Sequence, residues 1–234
     1  THSVFNITAT LVWLPFSNLL VKLACLTIRD DKVDEVSRED QEFMILESRF
    51  LEKPAFAVEQ GRNAAKHMEQ DSRKILDIAL GLIYSYSDEQ AERVQKLESK
   101  IDRYEDELGT YLVKLNNKDL SERDSHSVSI MLHCIGDFER ISDHAVNIME
   151  SAQELHEKNI SFSPQARNEL QVLIAVVSRI VDTAYQVFDK QDLNLTRDVE
   201  PLEEIVDELS KELKRRHVNR LRLGECTIEM GFIL

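Results

Sequence analysis

The sequence predicts an all-α protein, and three observations carry that prediction. Glycine and proline are scarce, six and four in 234 residues, so tight turns are few. Apolar residues recur at alternating spacings of three and four, the period of a helix that buries one face. A register found in the first half also recurs in the second, which predicts two tandem three-helix-bundle repeats, the second truncated, preceded by an apolar N-terminal helix.

The elements follow in order. Residues 1–30 contain the run VFNITATLVWLPFSNLLVKLACLTI from Val4 to Ile28, long enough to cross a hydrocarbon core and carrying one charge, Lys22. A signal peptide fits poorly, because basic residues follow the run instead of preceding it. Asn6, Pro15, Ser17 and Asn18 are tolerated in lipid where neighbouring helices satisfy them. The segment reads as the last membrane helix of something larger. Residues 31–58 are strongly charged and read as a partly helical connector in which Pro54 ends any helix.

Helices are predicted over 56–87, 88–116, 121–157, 164–191 and 196–220, and a sixth begins near Gly224 and is cut off by the end of the chain. Asn116 and Asn117 separate the second from the third, and the stretch from Asn159 to Pro164 ends the third. Repeat 1 then covers 59–158, and repeat 2 covers 159–234 and is incomplete. The repeat shows as an offset of 105 residues: Ile75, Asp77 and Ala79 lie over Ile180, Asp182 and Ala184. The same offset places Val94, Leu97, Glu98 and Asp102 over Val199, Leu202, Glu203 and Asp207.

Two seams are predicted as core and are assigned no chemistry. In the second helix the seam is Val94, Leu97, Ile101, Tyr104, Leu108, Tyr111 and Leu115; in the third it is Cys134, Phe138, Ile141, Ala145, Ile148, Ala152 and Leu155.

A net charge of −14, from 43 acidic and 29 basic residues, makes nucleic acid an unsuitable partner. Cys25, Cys134 and Cys226 stand far apart in apolar or helical contexts and read as small core residues, not as a disulfide framework or ligands.

The candidate chemistry lies in acidic pairs. Positions four apart share a helix face, so Glu139 and Asp143 can aim both carboxylates at one ion. The same spacing occurs as Glu98 and Asp102 and as Glu203 and Asp207, and nowhere else in the chain. Two neighbouring helices then offer an all-oxygen array suited to Mg, Mn, Ca or ferric iron, with the identity of the ion open. His144 and Asn147 can add or orient a ligand, and Arg140 can neutralise the cluster or catch an anion beside it. The plain alternative is that these acids form solvated faces, since they sit off the apolar seams.

Other site classes find no support. There is no Glu-x-x-His spacing for a di-iron bundle, no phosphate-cradling glycine loop, no nucleophile elbow and no zinc-type cysteine pair. His126, His133, His156 and His217 are scattered and read as structural or exposed. An enzyme is not indicated.

The stretch DFERISDHAVNI at 137–148, with Glu98 and Asp102 one helix earlier and an imperfect second copy, resembles the phosphate-uptake-regulator family, PhoU. That resemblance implies two three-helix repeats with metal clusters on paired acidic motifs. By position the first cluster would use Glu98, Asp102, Glu139 and Asp143. The second would start with Glu203 and Asp207, and its partners would fall on the curtailed sixth helix. The leading THSVFNITATLVWLPF is similar to the end of the membrane part of bacterial sodium-dependent phosphate cotransporters, many of which carry a PhoU-like tail. The glutamine–serine-rich substrate motifs of those transporters are absent from this sequence, so the chain alone is not expected to transport anything.

The resemblances together imply a membrane-associated helical bundle on the cytoplasmic side that modulates sodium-driven phosphate uptake. The transporter's membrane domain, phosphate and a second copy of the chain are the candidate partners. A stand-alone regulator and a metal-free interaction scaffold are the rival readings.

Overall fold

A computed structural model describes residues 42–224 and 226. The chain divides into two units, Thr1–Glu42 and Phe43–Leu234; of the first, only Glu42 is among the described residues. The apolar segment expected at 1–30 and the sixth helix expected beyond Gly224 therefore lie outside the description, as does Cys25.

The second unit is all-helical, and among the described residues there is no strand. Two short 3-10 turns, Met44–Leu46 and Ser48–Glu52, precede five long helices: α1 Pro54–Leu82, α2 Asp88–Asn116, α3 Glu122–Glu157, α4 Pro164–Lys190 and α5 Val199–Arg222. A further 3-10 turn, Leu193–Asp198, leads into α5. Helices α1, α2 and α3 pack mutually into a three-helix bundle, while α4 pairs with α5. The join between the two groups runs mainly along α1 and α4.

The boundaries follow local chemistry. The Ser121 hydroxyl accepts a hydrogen bond from the Asp124 amide at the start of α3, and Ser163 accepts from the Ala166 amide at the start of α4, with Pro164 in the first turn. Helix α3 ends where Asn159 takes a positive φ of 55°, and α4 ends at Gln191 with φ 53°. Pro54 differs from expectation in its direction. Residues Ser48–Glu52 stop short of it, and Pro54 itself opens α1, where its missing amide hydrogen would have had no partner. The described part of the expected connector also reaches the core, since Phe43, Leu46 and Leu51 are buried and Phe43 packs 4.5 Å from the Tyr104 ring, centroid to centroid.

The seam predicted for α2 is buried at all seven positions. In α3 the deepest line is shifted by one residue at three positions: Ile135, Ser142 and Met149 are buried, whereas Cys134, Ile141 and Ile148 are half-buried on its flank. Helix α1 lies close to its neighbours because its inner face is small. Ala57, Ala64, Ala65 and Ala79 are fully buried, and a Cβ at Gly61 would come 3.1 Å from a Leu112 methyl. Among the described residues, α4 is long and apolar enough to cross a membrane by length and composition, and 6% of its most apolar window is buried.

Candidate functional site

The predicted acids of α2 and α3 are brought to one side of the bundle. Val94, Leu97, Ile101 and Leu108 turn inward on α2, which leaves Glu98 and Asp102 on a flank. On α3 the inward positions Ile135, Phe138, Ser142 and Ala145 do the same for Glu139 and Asp143. Glu98 and Glu139 are half-buried, and Asp102 and Asp143 are exposed.

The electrostatics report the convergence. Burial pushes the Glu98 carboxyl up, and the charges of Asp102 and of Asp143 across the helix gap push the same way. Asp102 is raised by burial and then by Asp143 and Asp106. Glu139 is raised by burial, then by Asp143, Glu105 and Asp102. Within each helix the paired carboxylates are close enough for one charge to act on the other. Glu98, Asp102 and Glu139, each raised by the nearby charge of Asp143, form with it a donor set that a hard cation suits, since the ion removes the repulsion. Among the described residues, however, no three His, Cys, Asp or Glu side chains are drawn tightly enough to form a ready-made cage.

The remaining predicted residues stand around this patch without closing it. Arg140, His144 and Asn147 are exposed, and Arg140 makes no ion pair among the described residues. Glu203 and Asp207 are exposed on α5, where Asp207 lies 3.6 Å from Lys211. Two members of the patch were missed by the sequence pattern. Asp106 continues the Glu98–Asp102 ladder by one more turn, and Glu105 faces Glu139. The Asp-x-x-x-Asp spacing of 102 and 106 was visible, but a search confined to Glu-x-x-x-Asp passes over it.

The histidines and cysteines read as expected only in part. His126, His133 and His156 are exposed, and the His156 ring stacks on Tyr86 at 4.7 Å. His217 is buried, its Nε2 has no hydrogen-bond partner, and burial, followed by the Arg220 charge, pushes its pKa down. Cys134 is half-buried with its thiol pushed up by burial and by Asp137, which makes it a poor ligand. Cys226 is half-buried with Sγ 3.7 Å from His217 Nδ1.

The stretch that holds the four carboxylates, residues 65–152, matches the PhoU domain family. This part of the chain is PhoU-like. A curated relative, the phosphate-specific transport system accessory protein PhoU homolog 1 of Thermotoga maritima, is 29% identical over 97 residues, which is 42% of this chain and 41% of the relative. The similarity thus spans about two-fifths of that relative's length. No solved structure matches the chain. The PhoU-like match begins inside α1 and ends inside α3, so it takes in most of the three-helix bundle and all of α2.

Proposed function

We propose that this chain is a regulator of phosphate uptake rather than a catalyst, and that its PhoU-like bundle works as a metal-responsive module attached to a sodium-dependent phosphate transporter. The regulatory part of this reading is supported by the PhoU-like match and by the Thermotoga maritima relative. The transporter attachment is supported by the sequence of residues 1–30.

The observation that carries the metal reading is the gathering of these acids on the facing flanks of α2 and α3, where the charge of Asp143 raises Glu98, Asp102 and Glu139. Glu98 and Asp102 would hold one side of an ion and Glu139 and Asp143 the other, with Glu203 and Asp207 contributing half of a second site. A hard cation bound by carboxylates would supply residual positive charge that a phosphate oxygen can approach. Binding would also draw α2 and α3 together, because it replaces carboxylate repulsion by a shared counter-charge.

A metal-free scaffold is the second reading. It is favoured by the lack of a preformed three-ligand cage among the described residues. Elemental analysis of the purified protein separates the two. The metal reading expects bound metal that is lost when Glu139→Gln and Asp143→Asn are combined. Metal content unchanged by the double substitution removes this site. For the regulatory role, phosphate uptake by cells carrying the intact gene is compared with uptake after deletion of residues 65–152, and identical uptake in both removes it.

A further inference from the structure

A second charged cluster lies away from the carboxylate patch, along the join between α1 and α4. Lys66 Nζ on α1 is 2.6 Å from Asp189 Oδ1 on α4, and Arg73 on α1 is 2.9 Å from Asp182 Oδ1 on α4. Between them on α1 lies Glu69, three residues after Lys66 and four before Arg73, so all three share one face. Glu69 is only 6% exposed and makes no hydrogen bond or ion pair among the described residues. It borders a cleft of about 400 Å³ together with Lys66, Arg73, Tyr185 and Asp189. Arg73 Nε is buried without a partner, while its guanidinium sits 5.1 Å over the Tyr185 ring.

Both cations that bridge the join are therefore within one helical turn of a buried carboxylate that can compete for them. An ionised carboxylate hydrated only through a cleft is costly, and the nearest relief is the guanidinium or the ammonium on its own helix. A neutral carboxyl makes no such demand.

We propose that the α1–α4 join is a proton-operated latch: with Glu69 neutral, Lys66 and Arg73 are committed to Asp189 and Asp182 on α4, and with Glu69 ionised both cations are drawn back toward α1 and the join loosens. The proton comes from solvent through the cleft. Burial holds the Glu69 carboxyl above the usual carboxylate range; Arg73 and Lys66 pull it down and Asp189 pushes it up. Nearby Asp77 is also raised, by burial and then by Asp182, with Arg73 opposing. From α3 the Phe138 ring packs 5.9 Å from Tyr185, and the uncharged Ser127, Ile130 and Met131 border a cleft that Lys66 and Asp189 also line. A carboxyl raised in the folded state binds its proton more tightly there than in the unfolded chain, so the latch firms as pH falls through that raised value.

The latch does not depend on the metal reading, and its test leaves the α2–α3 acids untouched. Spin labels are placed on the exposed positions Lys74 of α1 and Arg179 of α4 in the full chain with its three cysteines replaced. Distances are compared at about pH 7.5 and about pH 5. The expected result is a narrow distribution at the lower pH and one broader or longer by about 2 Å at the higher. Glu69→Gln should keep the narrow form at both, and Lys66→Gln combined with Arg73→Gln the broad form at both. A wild-type distance indifferent to pH overturns the proposal, as does a Glu69→Gln chain that still responds. If Glu69→Gln fails to fold, a persistent pH response in the Lys66→Gln, Arg73→Gln chain overturns it instead.

Discussion

The three-helix bundle and the α4–α5 pair are written in the same register, yet they bury their side chains very differently. Leu97 and Leu202, which the 105-residue offset relates, are both buried, and so are Leu108 and Leu213. Away from those positions the likeness fails. Ile75, Val94 and Ile101 are fully buried, while their counterparts Ile180, Val199 and Val206 are only half-buried. Leu112 and Leu115 at the end of α2 correspond to His217 and Arg220 at the end of α5. There the core is replaced by an ion pair: Arg220 is 2.8 Å from Glu169 of α4, and Arg216 is 3.1 Å from the same carboxylate. An apolar stripe specifies which face will be covered, and it takes a third helix to cover it.

The largest test of this contrast is a matched truncation. Leu108→Ala removes a fully buried side chain in the bundle and should cost about 3 kcal/mol, a transfer loss plus a new cavity. Leu213→Ala removes a side chain that already borders a cleft of about 240 Å³, so the opening adds little and about 1–2 kcal/mol is expected. Denaturant unfolding of both variants gives the difference. Equal costs would mean that the second pair is packed as well as the first.

The two regions should also respond oppositely to acid, which sharpens the comparison. In the bundle, Glu98, Asp102 and Glu139 are raised by burial and by neighbouring carboxylates. They add stability as pH falls through their raised values, because the folded state then binds more protons than the unfolded chain. Glu169 runs the other way. Burial pushes it up, but the hydrogen bonds from Arg220 and Arg216 outweigh burial and hold it low, so its contribution is present above the ordinary glutamate range and is lost as pH falls through its depressed value. Hydrogen exchange on metal-free protein should show α2 and α3 firming on mild acidification and α4 and α5 opening at lower pH. Parallel behaviour in all four helices would contradict the assignment.

The smallest effect concerns Ser142, whose fully buried hydroxyl has no partner in the middle of the α3 seam. Ser142→Ala should be neutral or stabilising by about 1 kcal/mol, read from the same unfolding curves. A loss of that size would reveal a hydrogen bond at this position.

Much of the fold was legible because its signals are local. Ser121, Ser163 and Asn159 mark helix ends by chemistry that does not depend on tertiary packing, and the described helices fall close to the predicted spans. The α3 seam was misplaced because α3 is apolar on two adjoining lines, with Ile141 and Ile148 packed against the edge of the core and a serine on the deeper line. A polar residue at the deepest point hides the centre of the stripe. Spacing and the family resemblance pointed to neighbouring faces for Glu98, Asp102, Glu139 and Asp143, and carried no mark for Glu105 and Asp106, which act on the same patch. Glu69 carried no signal at all. Its burial depends on α4 lying across α1, and the repeat marked Asp77 and Asp182 as equivalent without showing that they face each other.

Ser72 shows how closely the two groups are tied. Its hydroxyl donates to the Phe138 carbonyl of α3 at 3.1 Å, so the proton in its 2.9 Å contact with the Tyr185 hydroxyl of α4 must come from the tyrosine. Burial makes Tyr185 hard to ionise and pushes it up to about 12.

The absent side chain at Gly61 gives α1 a further property. Leu112, the methyl-bearing neighbour that any Cβ there would meet at 3.1 Å, is itself fully buried and has nowhere to retreat. Five residues further along, the same rod presents Lys66 to Asp189. An alanine at 61 would act as a shim under one end of a rigid lever, tilting α1 off α2 and carrying the misalignment straight to its ionic contacts on the far side. Evolutionary drift at this single spot would thus be felt in two places at once, by a helix that cannot be adjusted for one neighbour without disturbing the other.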